Sequence, residues 1–295
     1  KTAEEAVGVI VELLETHGQG GPCSHEHRRF TYDNSFLVAD KATAFVIETA
    51  GSHWETEKVA AGCARSLSNG LTIPRFAEIH SDRLRTHVAD SKIRQAQTMT
   101  AAGSARTPAA MMAALRSHGS SSTPHYSLLN GAMAAPCMHA GGLLANSQTT
   151  ASWVSDLGSV PRHWVTGTAA PCTSVFKPVT VDAPLQHNPI PSAHFDESSV
   201  WWRHERLHRL AMVDIPAAVA RFSAQRNSLE TRWLENPPDT NEAFAVADRL
   251  ESDWIKDLEN AALPDLRPRW TRSYWAVQNR RAGMTLGQRF PWPQK

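Results

Sequence analysis

No run of about 18 consecutive apolar residues occurs in this 295-residue chain, so its sequence holds no candidate for a membrane-spanning helix. An excess of charge is also missing. Thirty Lys and Arg face 29 Asp and Glu, a formal net charge of +1. Nucleic acids and anionic membranes recruit proteins through uncompensated positive charge, so neither is an expected partner. The four cysteines, Cys23, Cys63, Cys137 and Cys172, form no CxxC pair and no dense framework. That spacing points to reduced thiols in a cytoplasmic protein rather than to a disulfide-stapled secreted domain. No signal-type apolar core opens the chain, and no internal repeat is evident.

What is present reads as separate helical and β regions. Thr2–Thr16 has an N-cap residue, two early glutamates and an apolar stripe of Ala6, Val9, Ile10, Leu13 and Leu14, the pattern of an amphipathic helix. The HGQGG that follows stops it. Residues 29 to 73 predict an antiparallel meander with strands at Arg29–Ala39, Ala44–Thr49, Trp54–Val59 and Cys63–Ser68. Residues 80 to 118 read as helical, with a Ser-rich loop from Ser117 to Pro124. A second β region is expected at Thr149–Leu157, His163–Thr168 and Thr173–Val181. The proline-rich stretch from Asp182 to Asp196 reads as a linker, and the rest as helices, with Pro216 suited to a first turn and Thr240 to a cap.

Helix, β block, helix, β block and helical tail do not alternate as βαβ units do. The expected class is α+β. The change in composition near residue 185 suggests two parts: a mixed domain over 1–185, then a linker and helical extension over 186–295.

Five blocks, in order, carry a family resemblance: HGQGGPC at His17–Cys23, YDNSFLVAD with FVIETAGSHW between Tyr32 and Trp54, SLSNGLTI at Ser66–Ile73, QTTASWVSDL at Gln148–Leu157, and HWVTGTAAPCTSVFKP at His163–Pro178. Together they resemble the secernin-like cysteine dipeptidases, members of the N-terminal-nucleophile (Ntn) hydrolases. The resemblance implies part of an αββα sandwich of antiparallel sheets, a small peptide as substrate, and hydrolysis of its amide. A cysteine at the mature N-terminus would attack, with its own α-amine as base. That nucleophile is expected upstream of Lys1, and the 295 residues alone are expected to be inactive. Self-association into a homo-oligomer is left open.

Two residues are assigned catalytic roles through the resemblance. Asn69, in SLSNGL, matches the asparagine that donates to the oxyanion in related acylases. Read without the family, Asn69–Gly70 is an ordinary turn pair. Arg106, in AAGSARTP, matches an arginine near the nucleophile, where it would lower the thiol pKa or hold a substrate carboxylate. On its own it reads as a solvated arginine at a helix start.

Other constellations point elsewhere. His204–Glu205–Arg206–Leu207–His208 is a literal H-E-x-x-H, which on a helix can hold zinc with glutamate as base. Arg203, Arg206 and Arg209 crowd that site with positive charge. The competing reading is a helix that packs Trp201, His204, His208 and Ala211 inward and leaves the arginines in solvent. Cys137 with His139, and Cys23 with His25, are conceivable Cys–His dyads. Cys23, His25 and His27 lack a second ligand pair at zinc-like spacing. The sequence therefore assigns no metal and no cofactor. The alternatives to a cysteine dipeptidase are a zinc peptidase built on His204, Glu205 and His208, or a non-catalytic homologue that serves as a binding module.

Overall fold

The computed structural model describes residues 2–23, 29–82, 88–183, 185–186 and 188–286. Helices and two small antiparallel sheets make up the chain, which agrees with an α+β class. It divides into two compact units, one formed by 1–104 with 157–160 and the other by 105–156 with 161–295. The division falls at 104/105, not at the 185/186 junction suggested by composition. The helical tail shares one compact body with the second β region.

In the first unit, α1 (Ala3–His17) begins in a capping box. Thr2 accepts the Glu5 N–H, and the Glu5 carboxylate accepts the Thr2 N–H. Gly18 ends the helix at φ +68°, where a side chain would be strained. Strands β1 (Ser35–Ala39), β2 (Ala44–Ala50) and β3 (His53–Lys58) form a meander in the order β1-β2-β3. Phe36 pairs with Ile47 on one side and Ile47 with Thr56 on the other. The turn between β1 and β2 is closed by Asp40, whose carboxylate accepts the N–H groups of Ala42, Thr43 and Ala3. One side chain thus fixes both the turn and the start of α1.

Strand β1 begins at Ser35 rather than at Arg29. Just before it, Gln19 holds the Asn34 N–H and Asp33 takes the Gly51 N–H, so side chains replace ladder bonds. The expected fourth strand at Cys63–Ser68 is irregular, apart from an isolated bridge between Ser68 and Gly70. Its anchor is Glu48 on β2. This buried carboxylate accepts the Thr72 N–H at 2.7 Å and the Ile73 N–H at 2.9 Å. Helices α2 (Pro74–His80) and α3 (Ser91–Ser104) follow.

In the second unit, α4 (Pro108–Leu115) opens on the Thr107 cap. Strands β4 (Trp153–Asp156), β5 (Arg162–Val165) and β6 (Lys177–Val179) form the second sheet, with Trp164 opposite Pro178. Proline is tolerated there because β6 is an edge strand. These strands are shorter than the sequence pattern suggested. Between β5 and β6 the chain turns into a buried Thr- and Ser-rich loop. Thr166 accepts the Ser152 N–H, and Thr168 shares a hydrogen bond with Ser174. Side-chain hydroxyls satisfy the backbone where a ladder would otherwise run.

The tail forms α5 (Val200–Ala211), α6 (Ile215–Glu235), α7 (Thr240–Ala261) and α8 (Arg269–Ala282). Pro216 lies in the first turn of α6, as its fixed φ allows; the α7 cap is Asp239, one residue before Thr240. Leu207, Leu210, Phe222, Leu229, Trp254 and Leu258 make the core of these helices, with Phe222 stacked on Trp254 at 4.6 Å. Each such side chain contributes roughly 1.5–3 kcal/mol on burial. Arg116, at the end of α4, grips Glu230 of α6 with both guanidinium nitrogens, one of them at 2.9 Å, and also donates to the carbonyls of Pro171 and Ser174. Among the described residues no helix is long and apolar enough to cross a membrane.

Candidate functional site

Four residues scattered between positions 118 and 172 converge in the second unit. The Nε2 atoms of His118 and His139 and the Sγ atoms of Cys137 and Cys172 all lie within 4.8 Å of one another. His118 Nε2 is 3.0 Å from His139 Nε2, and each sulfur is 3.5 Å from His139 Nε2. Cys137, His139 and Cys172 are buried, and His118 is half-buried.

Local structure brings them together. His118 follows the last turn of α4. Cys137 donates its N–H to the Ser117 carbonyl, which sets the next loop beside His118. That loop is held by Ala132 paired to His139, by Thr149 accepting the Met138 N–H, and by Asn146 accepting the N–H groups of Gly141 and Gly142. Gly142 is required: a Cβ there would lie 2.5 Å from the Gly131 nitrogen. Cys172 sits in the buried turn before β6, with Ala170 at φ +50°. From α8, Trp275 donates to the Ala140 carbonyl and Thr271 to that of Gly141.

A second layer orients both imidazoles. His118 Nδ1 meets the Ser122 carbonyl at 3.0 Å. His139 Nδ1 meets His208 Nε2 at 3.2 Å, and His208 Nδ1 meets Glu205 at 3.3 Å. Glu205 also accepts from Arg209 at 2.9 Å. Burial alone would raise the Glu205 carboxyl, but His208 and Arg209 outweigh it and hold its pKa at about 2. Burial likewise pushes the Cys172 thiol up, yet the hydrogen bond from Cys137 and the nearby rings of His139 and His118 hold it well below the ordinary range. Burial lowers the basicity of His139.

The H-E-x-x-H helix is α5, and its two histidines do not converge on one point. His204 is bound to Glu251 at 2.8 Å and faces Thr173 at 3.3 Å, whereas His208 serves His139. His204, His208 and Ala211 do pack inward, but Trp202 rather than Trp201 is the buried tryptophan. Nor are all the arginines in solvent. Arg209 is buried between the rings of Trp202 and Trp275, while Arg203 and Arg206 pair with Asp248 and Glu259.

Asn69 lies in the first unit, at an exposed bend between the bridged Ser68 and Gly70. Its Oδ1 accepts from the buried Arg94 at 2.5 Å. Only the amide oxygen can face a guanidinium, so the Asn69 NH2 is directed away from Arg94. Burial lowers the pKa of Arg94. The neighbours Ser68, Gly70, Leu71 and Thr72 line a groove of about 460 Å³. Arg106 belongs to the second unit and is exposed just before the Thr107 cap. Cys23 and Cys63 are exposed, and His25 and His27 fall outside the described residues.

The sequence paired Cys137 with His139 but assigned no metal, and it linked neither residue to His118 or Cys172. One signal was available. Both buried thiols follow an Ala-Ala-Pro run, ending in Pro136-Cys137 and Pro171-Cys172, although Ala170 at φ +50° gives the second a turned approach. No protein-family model matches the chain.

Proposed function

We propose that this chain forms part of a cysteine-type dipeptidase of the Ntn-hydrolase kind, hydrolysing small peptide amides in the cytoplasm. The fold this reading implies is part of an αββα sandwich, with which the mixed helix and sheet content is compatible. The ordered secernin-like blocks support the reaction class. The structural observation offered in its support is Asn69: Arg94 holds its oxygen, which leaves the NH2 to donate elsewhere, at an exposed bend whose neighbours Ser68 and Gly70 line a groove. Arg106 would supply positive charge to the thiolate or to a substrate carboxylate.

None of the four cysteines here suits the nucleophile's role. The Ntn mechanism calls for a cysteine whose own α-amine is the base, and Cys137 and Cys172 lie buried in the cluster. In this reading the attacking thiolate is that of a mature N-terminal cysteine. The thiol gives its proton to the α-amine and adds to the peptide carbonyl, the tetrahedral oxyanion takes a hydrogen bond from the Asn69 NH2, the α-ammonium returns that proton to the leaving amine as the C–N bond breaks, and water hydrolyses the thioester.

The test is dipeptide hydrolysis by the natural protein, with and without thiol alkylation, repeated on Asn69→Ala. The reading expects alkylation-sensitive turnover and a kcat lowered roughly a hundredfold at unchanged thermal stability. A kcat per folded molecule equal to wild type would reduce Asn69 to a turn former. Turnover insensitive to alkylation would remove the cysteine mechanism.

A further inference from the structure

We propose that His118, Cys137, His139 and Cys172 bind one zinc ion in a closed, tetrahedral Cys2His2 site that pins the loops of the second unit. This goes beyond the peptidase reading and does not depend on it.

Three edges match a tetrahedron, and all four ligand atoms lie within 4.8 Å of one another. With Zn–S of about 2.3 Å and Zn–N of about 2.05 Å, a regular site places two nitrogens about 3.3 Å apart and a nitrogen and a sulfur about 3.6 Å apart. The structure has 3.0 Å between the histidine nitrogens and 3.5 Å from His139 to each sulfur.

Hydrogen bonding makes the same case. The Ser122 carbonyl only accepts, so His118 carries its proton on Nδ1. The Glu205 carboxylate likewise places the His208 proton on Nδ1. Where the Nε2 of His208 accepts, His139 donates from Nδ1. Each neutral ring is left with a bare lone pair on Nε2, and the two lone pairs face each other at 3.0 Å. That contact is repulsive unless a proton or a metal ion sits between them. The tautomers follow from the partners, and they are the ones that metal-bound histidines take.

Charge and surroundings agree. Binding replaces two thiol protons by Zn²⁺, which gives a neutral site that can be buried without an unpaired charge. Two imidazoles and two thiolates suit zinc over Mg²⁺ or Ca²⁺, which prefer oxygen ligands. Four protein ligands leave no position for water, so the ion is structural. It would join the end of α4, the loop around Cys137 and the turn before β6. His139–His208–Glu205 extends the support to α5.

The experiment is elemental analysis of the full chain purified without chelator. One zinc per chain is expected, retained in Cys63→Ser and lost in Cys172→Ser and His118→Ala. Because those last variants can fail to fold, wild-type protein stripped of metal is also titrated with Co²⁺. Intense visible bands of tetrahedral cobalt with thiolate charge transfer are expected at one equivalent. His208→Ala should keep the site but weaken its affinity about 10–100-fold. Wild type without zinc that also gives no tetrahedral cobalt spectrum would overturn the proposal. So would a Cys137–Cys172 disulfide in the purified chain, or full zinc content in a folded Cys172→Ser.

Discussion

His204 donates its Nδ1–H to Glu251 at 2.8 Å, and both side chains are buried. The interaction ties α5 to α7 and commits the first histidine of H-E-x-x-H to a helix–helix contact. Four residues on, His208 turns to His139 and Glu205 instead. The motif is thus divided between two structural tasks.

His204→Ala should therefore destabilise the chain by about 3–5 kcal/mol, because it leaves a buried carboxylate without its partner. Its zinc content should equal that of wild type. Chemical denaturation with elemental analysis reads both. A stable variant that has lost its metal would restore the metallopeptidase reading of α5.

Acid should act through Glu205. Its folded pKa of about 2 lies below the ordinary 4.5, so its stabilisation is complete above pH 4.5 and is lost as the pH falls toward 2. The gap corresponds to roughly 3 kcal/mol. The groups facing it are His208, Arg209 and the Gln148 amide. Glu205→Gln should show a shallower fall in denaturation midpoint between about pH 5 and 2 than wild type. Parallel curves for the two proteins would mean that the pairing adds no pH-dependent stability.

Gly142→Ala should damage the His139 loop. The added methyl meets the backbone nitrogens of Gly131 and Asn130 and the Leu129 carbonyl, none of which can rotate away. A loss of about 1–3 kcal/mol is expected, with weaker metal retention. Gly103→Ala, where nothing lies within 4 Å, is the matched control and should be neutral or slightly stabilising, since α3 is helical there. Equal melting temperatures for both variants would show that the loop yields freely.

Arg94→Met removes the group that holds the Asn69 oxygen and also releases the Ala89 carbonyl. In the natural protein it should lower kcat with KM nearly unchanged, less severely than Asn69→Ala, because the amide donor remains but is no longer oriented. Steady-state kinetics on dipeptides decides this. A rise in KM alone would place Arg94 in substrate binding.

Local patterns were legible where backbone and side chain agree. The Thr2 cap, the β1–β2 hairpin and the Pro216 helix start follow from neighbouring residues. The irregular run at Cys63–Ser68 did not, because Glu48, far off in sequence, captures the backbone near Thr72 and displaces a ladder. The Cys–His cluster was hidden for a similar reason. Its members come from three loops, and loop positions carry no periodicity to read. Arg209 seemed destined for solvent because its neighbours on α5 are charged; its burial depends on Trp275 and Asn279, contributed by the last described helix.

That helix has a consequence for how the chain is made. Trp275 and Thr271 close the loop bearing His139 across 135 and 130 residues of sequence. On a ribosome adding about 5–20 residues per second, the loop waits on the order of ten seconds for its cover. During that interval Cys137 and Cys172 are nascent thiols, open to oxidation or to early capture by metal. Under the zinc proposal, early capture of metal would hold the loop before its protein lid arrives.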